Sequence, residues 1–170
     1  ELDLRWLPTE RLDLRLGLGW IDTEITKQSS TTFDAPGTQV GVTNALDAFI
    51  NVEGNEINQA PNFTANIVAR YEFPLSNSWQ AALQIDASYT SDYYLSITNE
   101  EVWEEDGYVM VNARAELRGN ADGTGWNVAV WARNLTDEVH RTSFWSDGLF
   151  NYWEEYSAPR IVGATISYSY

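Results

Sequence analysis

Cysteine is missing from all 170 residues, which removes disulfide bridges, thiolate nucleophiles and thiolate metal sites together. A single histidine, His140, offers no second imidazole for a typical transition-metal centre. With only Asp137 and Glu138 close by in sequence, it reads as a solvated loop residue, and no metal or other cofactor is expected. Positive charge is scarce: Lys plus Arg number 10 against 25 acidic residues, a net charge of -15. No nucleic-acid partner is expected, because phosphate binding needs a basic surface. Apolar runs never approach the roughly 18 residues of a membrane-spanning helix, an absence that leaves strand spans open. Aromatic residues, by contrast, are abundant at 14%, with Trp 8 and Tyr 9. Amphipathic rings collect at interfaces, including the two faces of a membrane.

Alternation of apolar and polar residues dominates the chain. Leu12, Leu14, Leu16, Leu18 and Trp20 share one face, opposite Asp13, Arg15, Gly17 and Gly19. The same period of two runs through Leu2–Trp6, Phe63–Phe73, Trp79–Tyr89, Val109–Leu117, Trp126–Ala132 and Val162–Tyr170. Period two is the pleat of a β-strand, and no segment carries a helical period, so seven strands and an all-β fold are expected. A soluble sandwich also hides one face. Several of these patterns, however, run well past the five or six residues typical of globular strands and approach the 9–11 or so that a tilted membrane strand needs.

The connections separate the two cases. Short turns at Pro8–Glu10, Pro74–Asn77 and Asn120–Gly123 alternate strictly with long segments at Lys27–Ala60, Ser91–Asp106 and Asp137–Ala158. Outer-membrane barrels pair short periplasmic turns with long extracellular loops. On that rule the last strand runs downward and the C-terminus is periplasmic. Trp6, Tyr71, Phe73, Trp79, Trp126, Tyr168 and Tyr170 then fall on the apolar face at the short-turn ends, with Trp20 and Tyr89 toward the other side. That is the arrangement of an aromatic girdle at the headgroups. Seven strands do not close such a barrel, and open edges are forbidden in lipid. The chain, which opens at Glu1 inside a strand pattern, is therefore expected to be a piece of a longer protein.

Arg133-Asn134-Leu135-Thr136-Asp137-Glu138, followed some twenty residues later by Ala158-Pro159-Arg160 and a terminal strand, resembles the TonB-dependent receptor family. The first motif is similar to the family's segment at the top of the penultimate strand, and Pro159-Arg160 to the entry into the last one. Tyr170, with Tyr168, resembles the aromatic terminus read by the barrel-assembly machinery. The resemblance spans residues 1–170 and implies the C-terminal portion of an antiparallel transmembrane β-barrel. These would be the last seven of about 22 strands, with the earlier strands and the N-terminal plug outside this chain. It further implies a cell outer-membrane receptor that imports a scarce ligand with energy delivered by TonB to the plug. A ferric siderophore leads, with cobalamin, heme or a saccharide as the other options. Its partners would be outer-membrane lipid, lipopolysaccharide, the plug and remaining strands, TonB, the assembly machinery and the ligand.

The loop residues Trp103, Trp145, Phe150, Tyr152 and Trp153 are the ligand-binding candidates, since exposed rings stack on sugars and aromatic groups. They could equally pack a small satellite core. Asn134 and Asp137 are expected to hydrogen-bond turn backbone. The acidic run Glu100–Asp106 lacks calcium-loop spacing and reads as a solvated apex or a divalent-ion contact with lipopolysaccharide. Arg70, Arg114, Arg118 and Arg133 alternate with Glu72, Asp86 and Glu116 on the inward face, where they would pair along the wall or meet the plug. Nothing places two carboxylates together for hydrolysis, and no catalytic residue or enzymatic role is expected. Two other readings remain at this point: a different outer-membrane barrel, such as an autotransporter or porin, and a soluble carbohydrate-binding sandwich.

Overall fold

The computed structural model describes residues 1–27, 52–120, 125–146 and 152–169, except for the side chains of Asn120, Trp145, Ser146 and Tyr152. The strands, in chain order, are β1 (Leu2–Thr9), β2 (Leu12–Trp20), β3 (Phe63–Pro74), β4 (Trp79–Thr90), β5 (Tyr93–Tyr94) and β6 (Glu104–Glu105). They continue as β7 (Tyr108–Asn120), β8 (Gly125–Arg133), β9 (Arg141–Ser146), β10 (Tyr152–Tyr156) and β11 (Ile161–Ser169). Seven of them form one sheet in the order β1-β2-β3-β4-β7-β8-β11, every neighbour antiparallel. These are the seven alternating segments of the sequence. Two segments expected as plain loops carry structure of their own. A β5–β6 ladder and a 3-10 turn (Glu101–Trp103) stand in one, and the β9–β10 hairpin in the other. Their strands are too short to announce themselves by periodicity.

Register keeps one face apolar throughout. Leu14, Ala69, Ile85, Ala113 and Ala132 are successive cross-strand partners on one face, and Val162 completes the row. A one-residue slip would turn every one of them over, so the pattern itself specifies the pairing. Among the described residues nothing covers this face. Leu83, Ile85, Val130 and Ile166 are half or more exposed, and Val162 reaches 71%. No large side chain among the described residues is fully buried. An apolar side chain left in water forfeits about 1.5–3 kcal/mol, so a face this broad needs a hydrocarbon environment. Trp6, Trp79, Trp126 and Tyr168 are exposed on it at the short-turn end, and the Trp126 and Tyr168 ring centroids lie 4.9 Å apart.

Local chemistry closes the short turns. Thr9 Oγ1 accepts from the Arg11 and Leu12 amides, and the Leu75 and Ser76 amides both donate to the Trp79 carbonyl. Pro74 sits at the last position of β3, where the lack of an N–H is tolerated. At two positions glycine admits a tryptophan. A Cβ on Gly119 would lie 2.6 Å from the Trp79 ring, and one on Gly163 would lie 2.3 Å from Trp131. Both rings lie flat over the neighbouring strand, covering the backbone that glycine leaves bare.

Candidate functional site

The polar face carries a charged ladder across β3, β4 and β7. Glu116 is buried and accepts from three arginines: Arg70 at 3.0 Å, Arg114 at 2.7 Å and Arg118 at 2.8 Å. Room for those side chains comes from Glu116's cross-strand partners, the small buried residues Ala82 and Ala129. Arg70 also reaches Glu72 at 3.3 Å, Gln80 donates to Glu72, and Gln84 donates to Asp86. The inward charges therefore pair along the wall. Arg133 differs: its guanidinium lies 5.4 Å from the ring centroid of Trp131, an inward aromatic that donates from Nε1 to Thr165 Oγ1. Alternation on β8 already placed Trp131 inward, opposite Gly163. The significance of that pair appears only once the strands are side by side.

Where β8 ends, Asn134 organises the departure of the chain. Its side chain is buried, donating from Nδ2 to the Glu138 and Ala158 carbonyls and accepting from the Glu138 amide. Asn134 and Asp137 have φ of 50° and 60°, left-handed values that short polar side chains accept best after glycine. Asp137 Oδ1 receives the Arg160 amide at 2.8 Å, and Arg160 Nη1 donates to the Leu135 carbonyl. One turn thus joins Asn134, Asp137 and Glu138 to the entry of β11 behind Pro159. Leu135 and Thr136 are exposed on it.

The loop end holds a second cluster, built around Arg141. Its Nε donates to Glu105 Oε2 at 2.6 Å and its backbone amide to Glu105 Oε1 at 3.1 Å. Nη1 reaches the Val102 carbonyl and Glu154, and Nη2 reaches the Glu104 carbonyl. Bonding to Glu105 raises the Arg141 pKa, so the guanidinium stays charged throughout. Beside it, Trp103 stacks on Phe144 with ring centroids 3.5 Å apart. Tyr93 donates to the Arg141 carbonyl, and its phenol is pushed up to about 12, chiefly by burial, with Tyr108 and Glu105 adding to the shift.

Two expectations are corrected here. His140 is not solvated: it is buried, its ring lies 3.8 Å from that of Tyr108 at an interplanar angle of 9°, and Nδ1 has no hydrogen-bond partner among the described residues. Nor is the acidic run wholly solvated, because Glu105 is buried against Arg141. An isolated basic residue in a long loop gave no sign in sequence that it would take up that carboxylate. Beside the Arg141 cluster lies an open cleft of about 260 Å³, lined by Gln59, Pro61, Thr90, Tyr93, Tyr108, His140 and Thr142. Tyr108 and Thr90 neighbour the outward Val109 and Tyr89, so alternation places the cleft on the polar face.

Of the aromatic candidates, Trp103 is half-buried against Phe144, and Trp153 is 51% exposed on the hairpin. Trp145 is the backbone register partner of Trp153. The side chains of Trp145 and Tyr152, and Phe150 and Tyr170 as a whole, lie outside the described residues. Among the described residues no group of three or more His, Asp or Glu is placed to hold a metal ion.

A family model for the TonB dependent receptor-like β-barrel matches residues 1–135. Among solved structures, BauA, the ferric preacinetobactin receptor of Acinetobacter baumannii, is similar over 98% of this chain, with a TM-score of 0.71 and 17% identity. FyuA, the ferric yersiniabactin uptake receptor of Yersinia pestis, is similar over 96%, with a TM-score of 0.70 and 14% identity. The siderophore receptor PiuA of Acinetobacter baumannii also aligns over 96%, with a TM-score of 0.63 and 16% identity. The chain covers 21%, 22% and 20% of those proteins respectively, so it corresponds to about a fifth of each. At such low identity these likenesses speak for the fold. The family match goes further, setting aside a porin, an autotransporter and a soluble sandwich, and on it the chain belongs to the TonB-dependent receptor β-barrel family.

Proposed function

We propose that this chain is the C-terminal portion of an outer-membrane receptor barrel that imports a scarce ligand, a ferric siderophore in the first instance. The observation that carries the reading is the seven-stranded sheet with one uncovered apolar face, aligned over nearly its full length with barrels of siderophore receptors. In this reading the seven strands are the last of about 22. The short turns face the periplasm, and the connections 21–62, 91–107 and 134–160 face outward. The ladder around Glu116 lines the lumen, where the plug would sit and TonB would deliver energy to it. Tyr168 and Tyr170 would serve the assembly machinery, and the acidic loops would meet lipopolysaccharide. Trp153 and Trp145, opposite each other on the hairpin, would present rings to the ligand, and Trp103 would hold the hairpin in place.

The test is growth and labelled-siderophore uptake by cells carrying the full-length receptor, with hydroxamate, catecholate and mixed-type ferric siderophores supplied separately. The expected result is uptake of one type that requires TonB. Trp145→Ala/Trp153→Ala should raise the half-saturating concentration about tenfold, roughly 1.4 kcal/mol, without lowering receptor abundance. Normal uptake in the double variant would make both rings scaffold. No TonB-dependent uptake of any ferric siderophore would overturn the leading ligand class.

A further inference from the structure

Positive charge is unevenly placed in this chain. Among the described residues, the connections 21–62, 91–107 and 134–160 hold 14 acidic side chains and only three lysines or arginines, Lys27, Arg141 and Arg160. Lys plus Arg total 10 in the whole sequence, and every one of them is described, so the chain has no other to supply. Arg141 is taken up by Glu105, Glu154 and the Val102 and Glu104 carbonyls. Arg160 bonds the Leu135 carbonyl at the entry of β11.

The cleft beside Arg141 shares this shortage. No lysine, arginine or carboxylate lines it. Burial holds the Tyr93 phenol neutral, and that of Tyr94 next to it is raised too, by burial first and then by Glu104, Glu56, Asp92 and Glu101. Negative field therefore reaches the cleft from two connections. What the lining offers is hydrogen bonding without charge. The Gln59 and Thr90 side chains bond to no other described residue, and His140 Nδ1, in a side chain about nine-tenths buried, is unpartnered among them as well. An anion entering this space would lose hydration and meet acids in place of a counter-charge. An uncharged group rich in amides and hydroxyls would exchange its water for these partners, and a cation would gain from the surrounding carboxylates.

We propose that the cleft is a subsite for an uncharged or positively charged part of the ligand, and that it rejects anionic chelates. Ferric tris-hydroxamates, which are neutral or cationic, fit it. Ferric tris-catecholates, which keep a net negative charge, do not. The inference rests on the proposed import of a ferric siderophore and narrows the class of that ligand.

The test is quenching of intrinsic tryptophan fluorescence in the purified full-length receptor, joined to labelled uptake by cells that carry it. The probes are ferric siderophores sorted by charge: ferrioxamine B as a cationic complex, ferrichrome and coprogen as uncharged ones, ferric enterobactin and ferric citrate as anionic ones. Binding should be confined to the uncharged and cationic complexes. Tightest binding by an anionic complex would overturn the proposal and leave the siderophore reading intact, whereas no binding or uptake of any ferric siderophore would overturn that reading and this proposal with it. Gln59→Lys and Thr142→Lys, both at exposed positions, each place a cation at the cleft. Each should weaken the best-bound complex by about fivefold or more, with folding checked by heat-modifiable mobility. Asn77→Lys adds the same charge in a short turn at the other end of the sheet and should leave binding unchanged. Equal weakening by Asn77→Lys, or none by either cleft lysine, would overturn the subsite.

Discussion

Replacing Glu116 with glutamine removes one negative charge and almost no volume, and it leaves three arginines without their shared partner. A charge-assisted hydrogen bond to a buried carboxylate contributes about 1.5–3 kcal/mol. The three bonds do not contribute equally. Arg114 and Arg118 keep 34% and 44% of their side-chain exposure and can turn to water, so their shares fall to about 0.5–1 kcal/mol each. Arg70, at 21%, is less able to rehydrate, although Glu72 at 3.3 Å retains part of its pairing. The expected loss is about 2–4 kcal/mol, short of the 3–5 or so seen when a fully buried pair is broken. The assay is the urea midpoint of the full-length receptor refolded in phospholipid vesicles. Asp86→Asn is the internal control, because among the described residues that carboxylate receives only Gln84 Nε2, so the change should cost less than about 1 kcal/mol. Equal losses in the two variants would refute the claim that convergence on one carboxylate, rather than general wall polarity, stabilises this part of the barrel.

Two further outcomes follow from the loops and the last strand. Gly163→Val should lower receptor yield and the urea midpoint, because its Cβ would sit 2.3 Å from the Trp131 ring. Adding Trp131→Ala should restore much of the loss, and no rescue would mean that the strand, not the ring, rejects the side chain. Tyr93 makes a statement about pH. A phenol pushed up to about 12 favours the neutral form when folded, so its contribution is complete below the ordinary value near 10 and disappears as pH rises from about 10 to 12. Tyr94 and Tyr156 are raised as well, so alkaline ultraviolet difference titration should show a late-ionising phase of several tyrosines that Tyr93→Phe reduces by one, and an unchanged late phase in that variant would contradict the burial.

What the sequence determined by itself was the part governed by a period of two. Alternation sorted residues to faces, and seven strands, their order and their short turns followed, because antiparallel neighbours joined by brief turns leave the chain little choice. The turn at Asn134 and Asp137 was also legible, since short polar side chains with a proline-led strand beyond announce a backbone-bonding corner. Contacts between residues far apart in sequence were decided only by tertiary structure. Glu116 gathers arginines from two strands because Ala82 and Ala129 lie beside it in register. Arg141 takes Glu105 across 36 positions, and His140 is buried because Tyr108 covers it. Loop side chains have no periodicity to betray their partners, and a buried pair depends on where two connections meet above the sheet. The strands could therefore be read from the sequence, whereas the bonds that join one connection to the next could not.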